Sequence, residues 1–268
     1  MWLLERTIKH PENDIKLRNA LSQLNINFME IEKRPFEKTS YEKFKDFHFD
    51  FVYASTNVIE DLNGQCSGIY FNEENFNYHS WAKYYGDYLF NNPNESKIIR
   101  VQNFNSLSLN NEEYFFVRPV KDLKSFSGTV MKKNEIIYFF NDIINKKYIN
   151  LDGNTEVIIS PAYNIDKEWR CFIVSKKVVC VSQYKQNGRL YITSKNIPDS
   201  LIDYSEKISN IWSPDLIFTL DIGISKGKYY IIEAQCSNSS GFYDCDLIQL
   251  IKSISEAAKN EKRTGFIS

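Results

Sequence analysis

Asp221 and Glu233 stand twelve residues apart near the end of this 268-residue chain, and Gln235 follows two residues later. They lie in "LIFTLDIGISKGKYYIIEAQ", two β-branched and aromatic runs around Lys226-Gly227 that read as a hairpin. A buried strand would continue apolar, yet this one runs into a carboxylate and an amide and stops in "CSNSSG". Strand side chains alternate faces, so register decides what these groups can do. A two-residue loop pairs position 221 with 232 and turns the carboxylates apart. A three- or five-residue loop pairs 221 with 233 and brings them together; Gly227 makes a bulged three-residue loop the expectation. Together, with Gln235 on the same face, they offer three hard oxygen donors suited to Mg²⁺ or Mn²⁺. The plain alternative is a pair of solvated strand carboxylates.

Other charged residues sit where charge is costly or useful. Arg118 lies in "FFVRPV", a cation among apolar neighbours that needs a partner, for which a phosphate is suitable. The following loop, "KDLKSFSG", carries Lys121, Lys124, Ser125, Ser127 and Gly128, and such a loop can offer backbone N–H groups to phosphate. An ordinary turn with solvated lysines has the same composition. In "EWRCFIVSKKVV", alternation puts Glu168 and Arg170 on one face, and Lys185 closes "VSQYK". A surface ion pair would look the same. Other chemistries lack their signatures. "GISKGKYY" misses the phosphate-loop spacing, no GxGxxG or GxSxG occurs, and His10, His48 and His79 are isolated.

The elements that must position these residues change texture along the chain. "NDIKLRNALSQLN" places Ile15, Leu17, Leu21 and Leu24 near helical spacing, with Asp14 as a candidate N-cap. "INFMEIE" and "FDFVYAS" read as strands, "VIEDL" as a short helix, and "HSWAKYYGDYLFN" as an aromatic helix ending before Pro93. This alternation implies a small α/β domain with a partly parallel sheet over 1–78. Beyond it come several strands, the helices "EIIYFFNDIIN" and "SLIDYSEKISNIW", and a last helix in "CDLIQLIKSISEAAKNEK" capped by Asp244 or Asp246. The class of residues 79–268 is α+β.

Composition narrows the partners. With 33 basic against 34 acidic residues the net charge is -1, which gives no general pull toward nucleic acid or an anionic membrane. No apolar run reaches the roughly 18 residues of a membrane span. "MWLLERTIKHPEND" is broken by Glu5 and Arg6 and is not expected to be a signal peptide. Five cysteines without CxxC spacing point to reduced thiols and a cytoplasmic setting.

Taken together the pieces resemble the ATP-grasp superfamily. The family's closing motif is an Asp, a Glu twelve residues on, an Asn two residues after it and a Gly-containing loop; here Asp221, Glu233, Gln235 and "CSNSSG" stand in those places. "EWRCFIVSKKVVCVSQYK" is similar to the strand pair carrying an acidic residue, an Arg and a closing base, and "FVRPVKDLKSFSG" to the nucleotide-binding strand and Ser/Gly lid. The resemblance implies an ATP-grasp fold of two α+β lobes with ATP between them. It implies Arg118, Lys121, Ser127 and Gly128 at the phosphates, backbone of Ile159 and Ser160 at adenine, and Glu168 at the ribose. Arg170 and Lys185 would meet the γ-phosphate or an acyl phosphate, and Asp221, Glu233 and Gln235 would hold Mg²⁺. Arg118 where most members have Lys marks a clade, and Gln235 in place of Asn extends the amide by one methylene. The implied activity is an ADP-forming ligase joining a small-molecule or peptide carboxylate to an amine or thiol. A nucleotide-binding module that has lost catalysis, and an α/β interaction protein without a nucleotide site, stay open beside it.

Overall fold

A computed structural model describes residues 1–6, 11–32, 42–106, 109, 112–121, 126–146, 148 and 151–264. The chain opens with β1 (Trp2–Glu5), α1 (Pro11–Gln23), β2 (Phe28–Ile31), β3 (Phe51–Tyr53) and α2 (Thr56–Leu62). β1 lies between β2 and β3 and pairs parallel with both, so each connection is a crossover, and α1 makes the first. Pro11 opens α1, with its missing N–H in the first turn where no intrahelical partner exists. Asp14 is therefore inside the helix, and Leu17 and Leu21 are buried while Ile15 faces out.

α3 (Tyr78–Tyr85) comes next. It ends earlier than its aromatic pattern predicts because Gly86 takes a positive φ of 50°. β4 (Lys97–Arg100), β5 (Tyr114–Pro119), β6 (Thr129–Lys132) and β7 (Glu156–Pro161) form an antiparallel sheet in the order β4-β7-β5-β6. α4 (Lys133–Asn145) covers one face: Phe115, Val117, Val157 and Ile159 point to its Ile136 and Phe140. The alternate residues Phe116 and Arg118 point the other way.

The remaining strands make a second antiparallel sheet. They are β8 (Lys167–Val174), β9 (Lys177–Gln186), β10 (Arg189–Thr193), β11 (Ile217–Ser225) and β12 (Lys228–Cys236), in the order β10-β9-β8-β11-β12. One face is mainly apolar and packs Trp169, Cys171, Leu220 and Ile222 against α3 and α5 (Asp199–Ile211). The other face is divided. Phe172, Val174 and Ile217 lie under α6 (Leu247–Thr264), α1 and the first sheet. Past that cover the same face becomes polar, with Glu168, Arg170, Asp221, Glu233 and Gln235. Asp246 caps α6 by accepting from the Gln249 N–H at 3.1 Å, whereas Asp244 binds Ser194 instead.

The last hairpin reaches the expected pairing by another route. Its loop has two residues, Lys226 and Gly227, both at positive φ, and Ser225 pairs with Lys228. Continued regularly, that register would set Asp221 opposite Ile232. Instead β12 carries a bulge: Ile222 pairs with Ile231 and Asp221 with Glu233, leaving Ile232 as the surplus residue. The expected three-residue loop is thus corrected to a tight turn plus one inserted strand residue.

Beyond Glu233 the chain enters a turn at Ser237–Ser239 that is tied to the first sheet. Asn238, fully buried, donates from Nδ2 to the carbonyls of Val52 at 2.6 Å and Gly68 at 2.9 Å, and its Oδ1 accepts from the Tyr70 N–H at 2.8 Å. Replacing it removes the acceptor of the Tyr70 N–H and a donor to each of the Val52 and Gly68 carbonyls, of which Gly68 keeps the Val52 N–H at 2.9 Å. Asn238→Ala is expected to cost about 2–4 kcal/mol in equilibrium denaturation, given roughly 1–3 kcal/mol per unmet buried group. A loss under about 0.5 kcal/mol, the scale of a neutral surface change, would contradict the bonded role.

Candidate active site

Between the polar half of the five-stranded sheet and the free face of the four-stranded sheet lies a cleft of about 960 Å³. That is at the upper end of the roughly 300–1,000 Å³ of small-molecule sites. Of the residues singled out in sequence, Arg118, Lys121, Ser127, Gly128, Glu168, Lys185, Glu233 and Gln235 line it. Arg170 and Asp221 lie one layer below, and Ile159 and Ser160 stand outside its wall.

Arg118 is held in a buried strand by three contacts. Its Nη2 meets Glu233 Oε2 at 2.9 Å across the cleft, its Nη1 lies 3.5 Å from the Ile232 carbonyl, and its guanidinium sits 4.9 Å from the centre of the Trp81 ring. The bulge explains the second contact, since the surplus residue leaves the ladder and its carbonyl is available to Arg118. Only 8% of the Arg118 side chain and 18% of Glu233 is exposed, so this pair joins the two sheets in a poorly solvated place.

A cross-strand row supplies the rest. Ser182, Arg170, Asp221 and Glu233 are successive partners on β9, β8, β11 and β12. Arg170 grips Asp221 with Nε at 2.9 Å and Nη2 at 2.8 Å, and the pair is nearly sealed, at 8% and 3% exposure. The same Nη2 donates to Gln235 Oε1 at 2.9 Å, and Nη1 to the Gly241 carbonyl at 3.3 Å. Gln235 Nε2 in turn donates to Glu233 Oε1. Burial works against the charge on Arg170, yet the adjoining Asp221 carboxylate outweighs it and holds the guanidinium above its ordinary pKa. Nearer the cleft mouth, Lys185 lies 3.4 Å from Glu168, and Lys121 pairs with Glu73 at 2.6 Å.

The expected metal trio therefore shares one face, but its oxygens are engaged. Asp221 has both oxygens on Arg170, and Gln235 gives its carbonyl to the same group. Glu233 and Gln235 line the cleft; Asp221 does not. Among the described residues no three His, Cys, Asp or Glu side chains gather as a metal site. As chemistry the donor set fits a hard cation: two carboxylates and an amide, with no soft ligand.

The Ile159 side chain points to α4 and packs in that core, and its backbone lies mid-ladder between Lys97 of β4 and Val117 of β5. Ser160 is on the other face, but its hydroxyl accepts from Asn91 Nδ2 and it is buried. The wall there is formed by Pro161, the last residue of β7, and by Tyr163, Asn164 and Ile165 beyond the strand. Lys124 and Ser125 lie outside the described residues; Gly128 packs its backbone on the Phe116 ring.

Other contributors escaped the sequence reading. Trp81, the platform under Arg118, carries no polar signal. Tyr184 and Tyr243 stack on each other at 5.1 Å and lie beside Arg170, the second in a strained φ of 51°. Gly223 could have been noticed, because a glycine inside an apolar strand marks a close approach. A Cβ there would lie 2.7 Å from the Phe90 ring, 3.0 Å from Ile165 and 3.2 Å from Ile232, all three on the cleft floor.

A family model described as an ATP-grasp domain, the second family of its clade, matches residues 95–253, more than half of the chain. No curated protein matches the sequence. Solved structures that are similar include D-alanine–D-alanine ligase from Bacillus anthracis, at 14% identity over 98% of each chain and a TM-score of 0.63. D-cycloserine synthetase DcsG is 8% identical over 96% of this chain and 99% of that one, with a TM-score of 0.64. The ATP-grasp ligase PsnB, complexed with a minimal precursor, is 11% identical over 96% and 98%, with a TM-score of 0.56. These likenesses establish a common fold.

The floor offers a local test. Gly223→Ala should lower stability by about 1–3 kcal/mol, the usual cost of an extra methyl in a packed site. In a Phe90→Leu background the cost should shrink. An equal cost in both backgrounds would mean that the Phe90 ring does not constrain position 223.

Proposed function

The chain belongs to the ATP-grasp superfamily, and from that premise we propose that it is an ATP-dependent, ADP-forming carboxylate–amine (or carboxylate–thiol) ligase. The observation that carries this reading is the cleft itself. Glu233 and Gln235, turned to the cleft side by the bulge, line it together with Arg118, Glu168 and Lys185, and Glu233 meets Arg118 across it.

In the reaction a substrate carboxylate attacks the γ-phosphorus of ATP, the bond to the β-phosphate oxygen breaks, and an acyl phosphate and ADP result. An amine then adds to the acyl carbon, loses a proton and expels phosphate, leaving a C–N bond. The protein's part is positioning and charge. Arg118, fixed by Trp81, presents a planar fork to the phosphates; losing one such donor costs on the order of 10²–10³ in rate. Lys185, the more exposed cation, serves the γ-phosphate or acyl phosphate, and Glu168 the ribose hydroxyls. Ser127 and Gly128 close the phosphate side, where excluding water protects the acyl phosphate. Glu233, with Asp221 and Gln235 behind it, would hold Mg²⁺ or Mn²⁺, which supplies neutralisation of phosphate charge during transfer. Residues 79–268 form the ATP-grasp unit in this reading, and residues 1–78 shape the acceptor side. The acceptor is a small molecule or peptide.

A second reading has a specific observation behind it. The Gln235 carbonyl is turned to Arg170, away from the cleft, which favours a module that binds nucleotide without turnover. ADP release measured across amino acids and short peptides separates the two. The ligase should form ADP with at least one acceptor, and Glu233→Ala should abolish most of it. Equal turnover in wild type and Glu233→Ala would remove the site assignment, and tight ATP binding with no ADP from any acceptor would favour the second reading.

A further inference from the structure

Arg170 has almost no edge left for a ligand. Four of its five N–H groups are engaged inside the protein, on the two oxygens of Asp221, on Gln235 and on the Gly241 carbonyl. The stacked rings of Tyr184 and Tyr243 lie against it at 5.9 and 5.1 Å. It does not line the cleft that Arg118 and Lys185 line. A phosphate contact from Arg170 would have to break a bidentate, nearly sealed ion pair.

The same bonds give the amide of Gln235 a direction. Its oxygen accepts from Arg170, so its NH₂ is the end that donates to Glu233. Glu233 then meets Arg118. The result is one continuous chain from sheet to sheet, Asp221–Arg170–Gln235–Glu233–Arg118, with two carboxylates matched by two guanidinium groups. A bare carboxylate pair attracts a divalent cation; a matched pair does so only if a guanidinium is drawn away. Phosphates can draw Arg118, which borders the cleft. Nothing in the cleft can draw Arg170, because it is buried behind Gln235.

Resting on the nucleotide-site reading above, we infer that Arg170 is a positioning residue and not a phosphate contact. It is the internal counter-ion of Asp221 and the donor that orients Gln235. It keeps the protein from taking up a free divalent cation before nucleotide arrives, so that the ion enters together with the phosphates.

Two measurements test this. In the first, Mn²⁺ is titrated into the protein without nucleotide and followed by electron paramagnetic resonance. The wild type should leave the signal of free Mn²⁺ undiminished at millimolar concentrations, and Arg170→Gln, which releases Asp221, should sequester the ion. Saturable Mn²⁺ uptake by the wild type, or none by a folded Arg170→Gln, overturns the inference. In the second, dissociation constants for ATP and for ADP are measured with Mg²⁺ by calorimetry, in wild type, Arg170→Gln and Arg170→Lys. A positioning role moves both constants by the same factor. A γ-phosphate contact would instead weaken ATP alone, by about 10-fold or more for a lost charge-assisted hydrogen bond. A loss confined to ATP overturns the inference. Arg170→Lys keeps a cation beside Asp221 and carries this second test if Arg170→Gln fails to fold. A wild type that binds neither nucleotide would sink the ligase reading, while its Mn²⁺ titration still decides the counter-ion role.

Discussion

One surplus residue in a strand sets the chemistry of this protein. Ile232 enters β12 without a partner, and every residue after it changes face. With the tight turn at Lys226-Gly227 alone, Glu233 and Gln235 would point into the apolar layer under α3 and α5, where an ionised carboxylate is costly. The bulge turns them to the polar half-face and moves Ala234 into that apolar layer. It also supplies the Ile232 carbonyl that helps seat Arg118. Turn, bulge and cation partner are thus one device.

Charge balance follows from that arrangement. Buried ion pairs add little net stability, since desolvation offsets attraction, but removing one partner is costly. Here the two guanidinium groups differ in commitment. Arg170 is locked by Asp221, Gln235 and Gly241, and the carboxylate beside it keeps it charged. Arg118 is held by one carboxylate, one long carbonyl contact and an indole face, and it borders open cleft. One guanidinium is thus committed within the protein, and the other borders open space.

Much of this was legible in sequence, for physical reasons. Apolar strands that end in Asp, Glu or Gln are conspicuous because burial forbids them without a partner, which is why Asp221, Glu233, Arg118 and Arg170 stood out. The α+β order and the early parallel sheet followed from periodicity. The route to the final register was not legible: a bulge leaves no mark in a run such as "YYIIE", where any of the apolar residues could be the extra one. The direction of the Ile159 side chain was not legible, because "VIIS" is apolar at successive positions and shows no alternation. The partner of Arg170 was not legible either, since an arginine's type does not reveal which neighbour it will satisfy; the cross-strand row pairs it with Asp221.

Asn238 has a consequence for how such chains can be recombined. Its amide closes three bonds to Val52, Gly68 and Tyr70 from a turn that begins one residue after β12 ends and leads directly to Gly241, whose carbonyl Arg170 holds. The amino-terminal sheet is therefore fitted to a particular turn, not merely laid beside it. A chimera that imported the first seventy or so residues of another family member, leaving residues 237–241 behind, would match a socket to the wrong plug.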